Sequence, residues 1–158
     1  MFKDFIIALL ACICFSIVFD VPKKYLFLSG FGGALAWISY LICLNITDST
    51  ILSCFIGAVS VGLFGEIAAI YKKAPVPLFI IPGIITLVPG ANMYYSMFYI
   101  IKGDFQSASI QGSQTLLLAG AIASGLIVIT SIFKVVKRGT QNHKIKKKIM
   151  DNKKVKCD

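Results

Sequence analysis

Five apolar runs, separated by short polar segments, dominate the pattern of hydrophobic and polar residues along the chain. Most of them approach the roughly 20 residues that an α-helix needs to cross the hydrocarbon core of a bilayer. The pattern therefore predicts an all-α integral membrane fold with about five transmembrane helices. The predicted spans cover residues 5–21, 25–44, 51–70, 78–101 and 115–133, so that residues 1–137 form a transmembrane bundle and residues 138–158 a basic tail.

The fourth run differs from the others because two Pro-Gly pairs interrupt it, Pro82-Gly83 and Pro89-Gly90. Proline removes a backbone donor and clashes with the preceding turn. In lipid, such a break is tolerated only where the freed backbone groups face protein or a water-filled cavity. About a dozen apolar residues flank Pro89 on either side, which predicts a break near the midplane, where the discontinuous helices of secondary transporters bind substrate. A simple kink is the alternative, because proline and glycine are common in membrane helices.

The helix that restarts after the second Pro-Gly pair offers a binding site for an anion. The amides near Ala91 and Asn92 lack partners within the helix, and the positive end of the helix dipole adds to them. Asn92 either caps the helix or contacts the ligand. Tyr95 and Tyr99 share a face and line the cavity, or they belong to an aromatic belt at the membrane interface. The predicted substrate-binding residues are Pro89, Gly90, Ala91, Asn92, Tyr95 and Tyr99.

The third run contains a carboxylate, Glu66. Ala58, Gly62 and Glu66 follow one another at intervals of four residues, so they share one face of a helix and direct Glu66 at another helix. A charged side chain within a span costs on the order of 3 kcal/mol on insertion scales and usually marks a pathway or a proton relay. Glu66 is therefore the candidate proton-coupling group. Alternatively, it reaches the interface and pairs with Lys72 or Lys73.

The chain is strongly hydrophobic and carries its positive charge unevenly. Hydrophobic residues make up 57% of the sequence, and the mean hydropathy of +0.82 is well above that of water-soluble domains. Of the formal net charge of +9, the segment from Lys134 onward holds ten Lys and Arg against two Asp, which gives +8. The charge thus belongs to the tail and does not predict binding to nucleic acid. The tail either lies against anionic lipid or is a solvated topological anchor.

The lysines also predict the orientation in the membrane. With five spans, Lys23-Lys24, Lys72-Lys73 and the tail fall on one side, whereas Lys3 and Lys102 fall on the other. The positive-inside rule then predicts a multi-pass protein of the cell membrane, with the N-terminus outside and the C-terminal tail in the cytoplasm. This distribution requires the broken fourth run to make a net crossing.

Signatures of enzymes and of metal sites are missing from the sequence. It has no phosphate-binding Gly-Lys-Ser loop, and its one histidine, His143, lies in the basic tail. A metal site at the five cysteines would need histidine or carboxylate ligands, and His143 is the only histidine, so we interpret all five as free thiols. The sequence predicts neither enzymatic activity, nor a metal, nor a cofactor.

The order of these features resembles the smaller membrane domain of the threonine/serine exporter family. The resemblance covers roughly residues 1–137. It rests on Gly62-Leu-Phe-Gly65-Glu66, Leu87-Val88-Pro89-Gly90, Tyr94-Tyr95, Gly103-Asp104 and Ala119-Gly120-Ala121. Members of this family export small amino acids, either as one longer polypeptide or as separate large and small subunits.

The resemblance implies a membrane subunit of a secondary exporter for threonine, serine or a related small carboxylate. It also implies a partner, either a second integral membrane subunit of the same family or further copies of this chain, because five spans are few for a carrier built from repeats. A non-transporting membrane scaffold and a small channel are the alternatives. The polarity of the break distinguishes an exporter from a scaffold. A ligand site needs hydrated backbone groups, whereas a scaffold needs apolar side chains that fill the space.

Overall fold

The computed structural model describes the backbone of residues 2–155 and the side chains of residues 3–137. Within that part every element is helical, which confirms the predicted all-α class. The elements are α1 (Phe2–Val18), α2 (Lys23–Thr47), α3 (Thr50–Lys72), α4 (Pro77–Ile84), a 3-10 turn (Ile85–Leu87), α5 (Gly90–Ile101) and α6 (Phe105–Val155).

Three helical segments are long and apolar enough to cross a membrane, namely Lys23–Thr47, Thr50–Lys72 and Phe105–Lys137. The segment Pro77–Leu87 and the helix Gly90–Ile101 qualify together as a fourth, with a bend of 54° between them. Helix α1, the first predicted span, has 17 residues, which reach about 26 Å against a hydrocarbon core of about 30 Å. By length and composition the described helices thus provide three or four spans, where the sequence predicts about five.

Glycines let the helices approach closely, as small residues do in membrane bundles. At the crossing of α2 and α4, a Cβ added to Gly33 would lie 3.2 Å from the Cα of Gly83 and would collide with the thiol of Cys12 on α1. On α3, a Cβ at Gly57 would lie 2.9 Å from Leu87, and one at Gly62 would lie 3.3 Å from Ile129 of α6. These contacts place α3 between α4 and α6.

The contacts also fix the direction of each helix. Going along α3, Cys54 packs in one cluster with Leu118 of α6, and Gly62 meets Ile129 further along both helices. Helix α6 is therefore parallel to α3. Along α4 and the 3-10 turn the order is reversed. Ile80 packs against Gly65, late in α3, whereas Leu87 packs against Gly57, earlier in α3. The segment between α3 and α6 thus runs back along the bundle, as the predicted net crossing requires.

The bundle consequently has two unlike ends. At the lysine end, α1 and α3 finish and α2 and α4 begin, around a cluster that includes Tyr25, Ala69 and Phe79. The six described lysines at or near this end are Lys23, Lys24, Lys72, Lys73, Lys134 and Lys137. At the opposite end, which we call the Thr50 end, α3 begins and the chain enters the α5–α6 hairpin.

Helix α6 begins earlier than the predicted fifth span. The stretch before residue 115 reads as polar, but Asp104 starts a helix there, because the Ser107 amide donates to its carboxylate at 3.1 Å. Hydrogen bonds from Ser107 also lower the pKa of the Asp104 carboxyl below its ordinary value. The helix continues past the predicted bundle boundary to Val155. The side chains of the predicted basic tail, residues 138–158, lie outside the described part.

Candidate functional site

The Pro89-Gly90 break is a tight turn followed by a new helix. Pro89 has φ −76° and ψ 60°, the values of an inverse γ-turn, and the Gly90 amide donates to the carbonyl of Val88 at 2.8 Å. The Met93 amide donates to the carbonyl of Pro89 at 3.1 Å. Between them, the amides of Ala91 and Asn92 have no backbone acceptor in the described part of the chain.

A cavity of about 240 Å³ adjoins the break, and residues 89–92 all line it. Its other walls come from four parts of the fold, one of them α6, which contributes Leu118. They include Trp37 and Tyr40 of α2, Thr50 and Cys54 of α3, and Thr86 of the 3-10 turn. The Trp37 and Tyr40 rings are stacked, with 5.2 Å between their centroids. The break thus opens on a space with hydroxyl groups and aromatic surface rather than on a purely apolar filling.

A second cavity of about 240 Å³ lies on the α6 side of Asn92. It shares Thr50 and Asn92 with the first cavity and adds Ser49 and Gln114. The N-cap residue of α5 is Pro89, and no side chain caps the helix, so Asn92 does not have the predicted capping role. Its contact with a ligand stays a prediction. None of the described residues that line the two cavities is charged.

Tyr95 and Tyr99 line neither of these cavities. Their rings are 6.4 Å apart, and with Tyr94 and Phe98 they form a continuous row of aromatic contacts on α5. The Lys102 ammonium lies 4.4 Å from the centroid of the Phe98 ring. An aromatic row that ends in a lysine is typical of a helix at the membrane interface, which was the alternative interpretation of these tyrosines.

The two Pro-Gly pairs lie at different positions along α3, and the predicted place of the break near the bilayer midplane stays a prediction. Pro82-Gly83 is beside the middle of α3, because Gly83 meets Val61. Pro89-Gly90 is beside the first turn of α3, because it shares a cavity with Thr50. Counting apolar residues on each side of Pro89 assumed one straight span. Instead, α5 bends away by 54° and pairs with α6.

Glu66 is buried, with 8% of its surface exposed. The face that it shares with Ala58 and Gly62 packs on α6, where a Cβ added to Gly125 would lie 3.1 Å from that of Ala58. Within residues 3–137, Glu66 forms no ion pair with Lys72 or Lys73. Sixteen residues of α3 separate Glu66 from Thr50, which corresponds to about 24 Å. The structure therefore does not bring Glu66 and the break into one site.

Several cavity residues were not predicted from the sequence. Thr86 could have been predicted, since it lies three residues before Pro89 in the same apolar run. Trp37 and Tyr40 do not stand out in the sequence, because the same span contains three further aromatic residues. Thr50 and Gln114 carry no local sign of their role, because only the packing of α3 and α6 brings them to Asn92.

Comparison with known proteins gives one match. The family model described as "Threonine/Serine exporter, ThrE" matches residues 4–132. The match includes α1 to α5, the apolar part of α6 up to residue 132, Glu66 and the Pro89-Gly90 break. Searches of curated proteins and of solved structures gave no match.

Proposed function

The chain belongs to the threonine/serine exporter family, and we propose that it is a membrane subunit of a secondary exporter for threonine, serine or a related small carboxylate. The observation that carries this proposal is the pair of unpartnered amides at Ala91 and Asn92, two residues that line a cavity with hydroxyl groups in its walls. The family indicates a transporter rather than an enzyme.

The substrate carboxylate would bind at the break. The free amides are donors, and the start of α5 adds the positive end of its dipole, so that a carboxylate is held without a charged side chain. Asn92 lies between the two cavities and is positioned to contact the ligand from either side. The hydroxyl and amide groups of Thr50, Thr86 and Gln114 suit a small polar side chain.

The open space beside the second Pro-Gly pair favours a transporter over the scaffold alternative. If the Pro-Gly breaks served only helix packing, apolar side chains would fill the space beside Pro89. The first pair, Pro82-Gly83, does behave in this way, since Gly83 packs against Val61 and Gly33. The second pair does not, because no atom lies within 4 Å of a Cβ added to Gly90.

A partner subunit would cover surface that this chain leaves open. Helix α5 has no buried residue, and only 22% of the most apolar window of α6 is buried, compared with 50% in α3. On α6, Gly125 packs closely against α3, whereas no atom lies within 4 Å of a Cβ added to Gly120. We propose that a second integral membrane subunit, or failing that a second copy of this chain, packs there.

Co-expression with a larger subunit of the same family tests the function and the partner together. Cells loaded with threonine or serine should export it when both chains are present and not when either is alone. Purification in mild detergent should recover the two chains as one complex. Full export by this chain alone as a monomer would contradict the partner, and absence of export from the recovered complex would contradict the exporter.

The orientation is a separate proposal, with the lysine end in the cytoplasm and the N-terminus outside. In an otherwise cysteine-free chain of intact cells, Cys157 should not react with a membrane-impermeant maleimide until the membrane is permeabilised. A single cysteine in place of Gln106, exposed at the start of α6 beyond the Thr50 end, should react at once. The opposite pattern of labelling would reverse the orientation.

A further inference from the structure

Pro82 lies inside α4, which continues through it instead of breaking, but it removes one helical donor, and α2 supplies a replacement. Because proline has no amide hydrogen, the carbonyl four residues earlier, that of Leu78, loses its partner within α4. The Ser29 hydroxyl of α2 donates to this carbonyl at 3.2 Å. Ser29 is completely buried, so no water replaces it as the donor in this arrangement.

Helix α1 supplies a second donor one turn further along α4. After Ile84 the helix tightens into the 3-10 turn, whose amides bond three residues back instead of four. The carbonyl of Pro82 lies where the α-helical pattern stops, and the Cys12 thiol donates to it at 3.4 Å. Cys12 is also completely buried.

The two donors belong to one buried polar cluster. The Ser16 hydroxyl of α1 lies 3.1 Å from the Ser29 hydroxyl and 2.7 Å from the carbonyl of Cys12. The cluster lies beside the Gly33–Gly83 crossing, where glycines leave no side chain to interlock the two backbones. Hydrogen bonds at these two carbonyls therefore tie α4 to α2 and to α1 at this crossing, beside the edge-to-face contact of Tyr25 with Phe79.

We propose that Ser29 and Cys12 are positioning residues of the exporter, which hold α4 in the arrangement seen here and release it when the substrate path changes. They stand in for donors that the broken helix has lost, so α4 is held by bonds to α1 and α2 that separate when it shifts. This role rests on the proposed function, because α4 is joined through the 3-10 turn to residues 89–92, which would bind substrate.

The alkylation rate of Cys12 measures the release without any transport assay. In a variant that keeps only Cys12 of the five cysteines, the buried thiol reacts with a membrane-permeant maleimide only when α4 and α2, which cover it, move away from α1. Ser29→Ala should raise this rate about threefold and at most about twentyfold, the range typical of hydrogen bonds between membrane helices. Ser39→Ala is the matched control on α2, since its hydroxyl bonds to Leu35 of its own helix, and it should leave the rate unchanged.

Repeating the measurement in a Pro82→Ala variant distinguishes a positioning role of Ser29 from a general loosening of the helix packing by the substitution. Pro82→Ala restores an amide that donates to the Leu78 carbonyl, so Ser29→Ala should have no further effect in that background. Ser16→Ala, a milder change to the same cluster, should follow the same rule if Ser29→Ala inserts poorly. Equal acceleration in both backgrounds, or none in either, would overturn the proposal. Because no substrate is present, these results stand apart from the outcome of the export assay.

Discussion

Replacement of Pro89 and Gly90 together by alanine is expected to abolish substrate-dependent export while the protein still inserts in the membrane. The double change favours a continuous helix by about 3 kcal/mol for proline and about 1 kcal/mol for glycine in water, and by less in a bundle whose neighbours satisfy the freed groups. In a continuous helix the amides of Ala91 and Asn92 bond to the preceding turn and no longer face the cavity. Efflux from loaded cells measures the loss, and the amount of protein in the membrane verifies insertion.

Gly112→Ala in α6 is the control for this experiment. An added methyl group meets no atom within 4 Å there, and Gly112 lines neither cavity, so export should stay close to that of the unmodified protein. A double variant that exports as fast as this control would show that the fourth run is merely kinked. The assignment of residues 89–92 to the substrate site would then be wrong.

Glu66→Gln is expected to abolish export driven by a proton gradient. The amide has nearly the shape of the protonated carboxyl and stays neutral, so the buried contact with α6 is kept and only the change of charge is lost. Exchange of internal for external substrate, which needs no net proton movement, should continue. Comparing gradient-driven export with exchange in reconstituted vesicles separates the two activities.

The control for Glu66 is Lys72→Gln. If Glu66 served only to pair with a lysine at the interface, removal of the lysine should disturb the protein as much as removal of the carboxylate. We expect Lys72→Gln to export normally. Normal gradient-driven export by Glu66→Gln would show that Glu66 does not couple export to protons.

Features that depend on neighbours in the chain could be predicted from the sequence. The family match over residues 4–132 confirms the resemblance, which rested on Glu66 and Val88-Pro89-Gly90 among other motifs. The unpartnered amides of Ala91 and Asn92 follow from the missing donor of proline and the rule for helix starts. The spacing of Ala58 and Gly62 also sufficed to predict a face that packs on another helix.

Features that depend on packing between distant segments could not be predicted. Trp37 and Thr50 reach the cavity only because α2 and α3 lie beside the 3-10 turn. Helix α5 bends away from α4 and pairs with α6. This pairing leaves Tyr95 on an aromatic row away from the cavities. Similarly, Ser29 looks like an ordinary polar residue in the second run, and only the fold brings it to the carbonyl that Pro82 leaves without a donor.

In the proposed exporter, the position of the break beside the first turn of α3 would make the two barriers to transport unequal in the part of the bundle that α3 spans. Within that part, a substrate held at residues 89–92 would be separated from the Thr50 end by about one helical turn, which we call the thin gate. Toward the lysine end the barrier would run along most of the 23 residues of α3, and we call it the thick gate. Glu66 lies inside the thick gate. In the proposed exporter, proton binding and the opening of the longer half of the path would therefore occur in the same layer of the protein, while the thin gate needs only a local movement around Asn92.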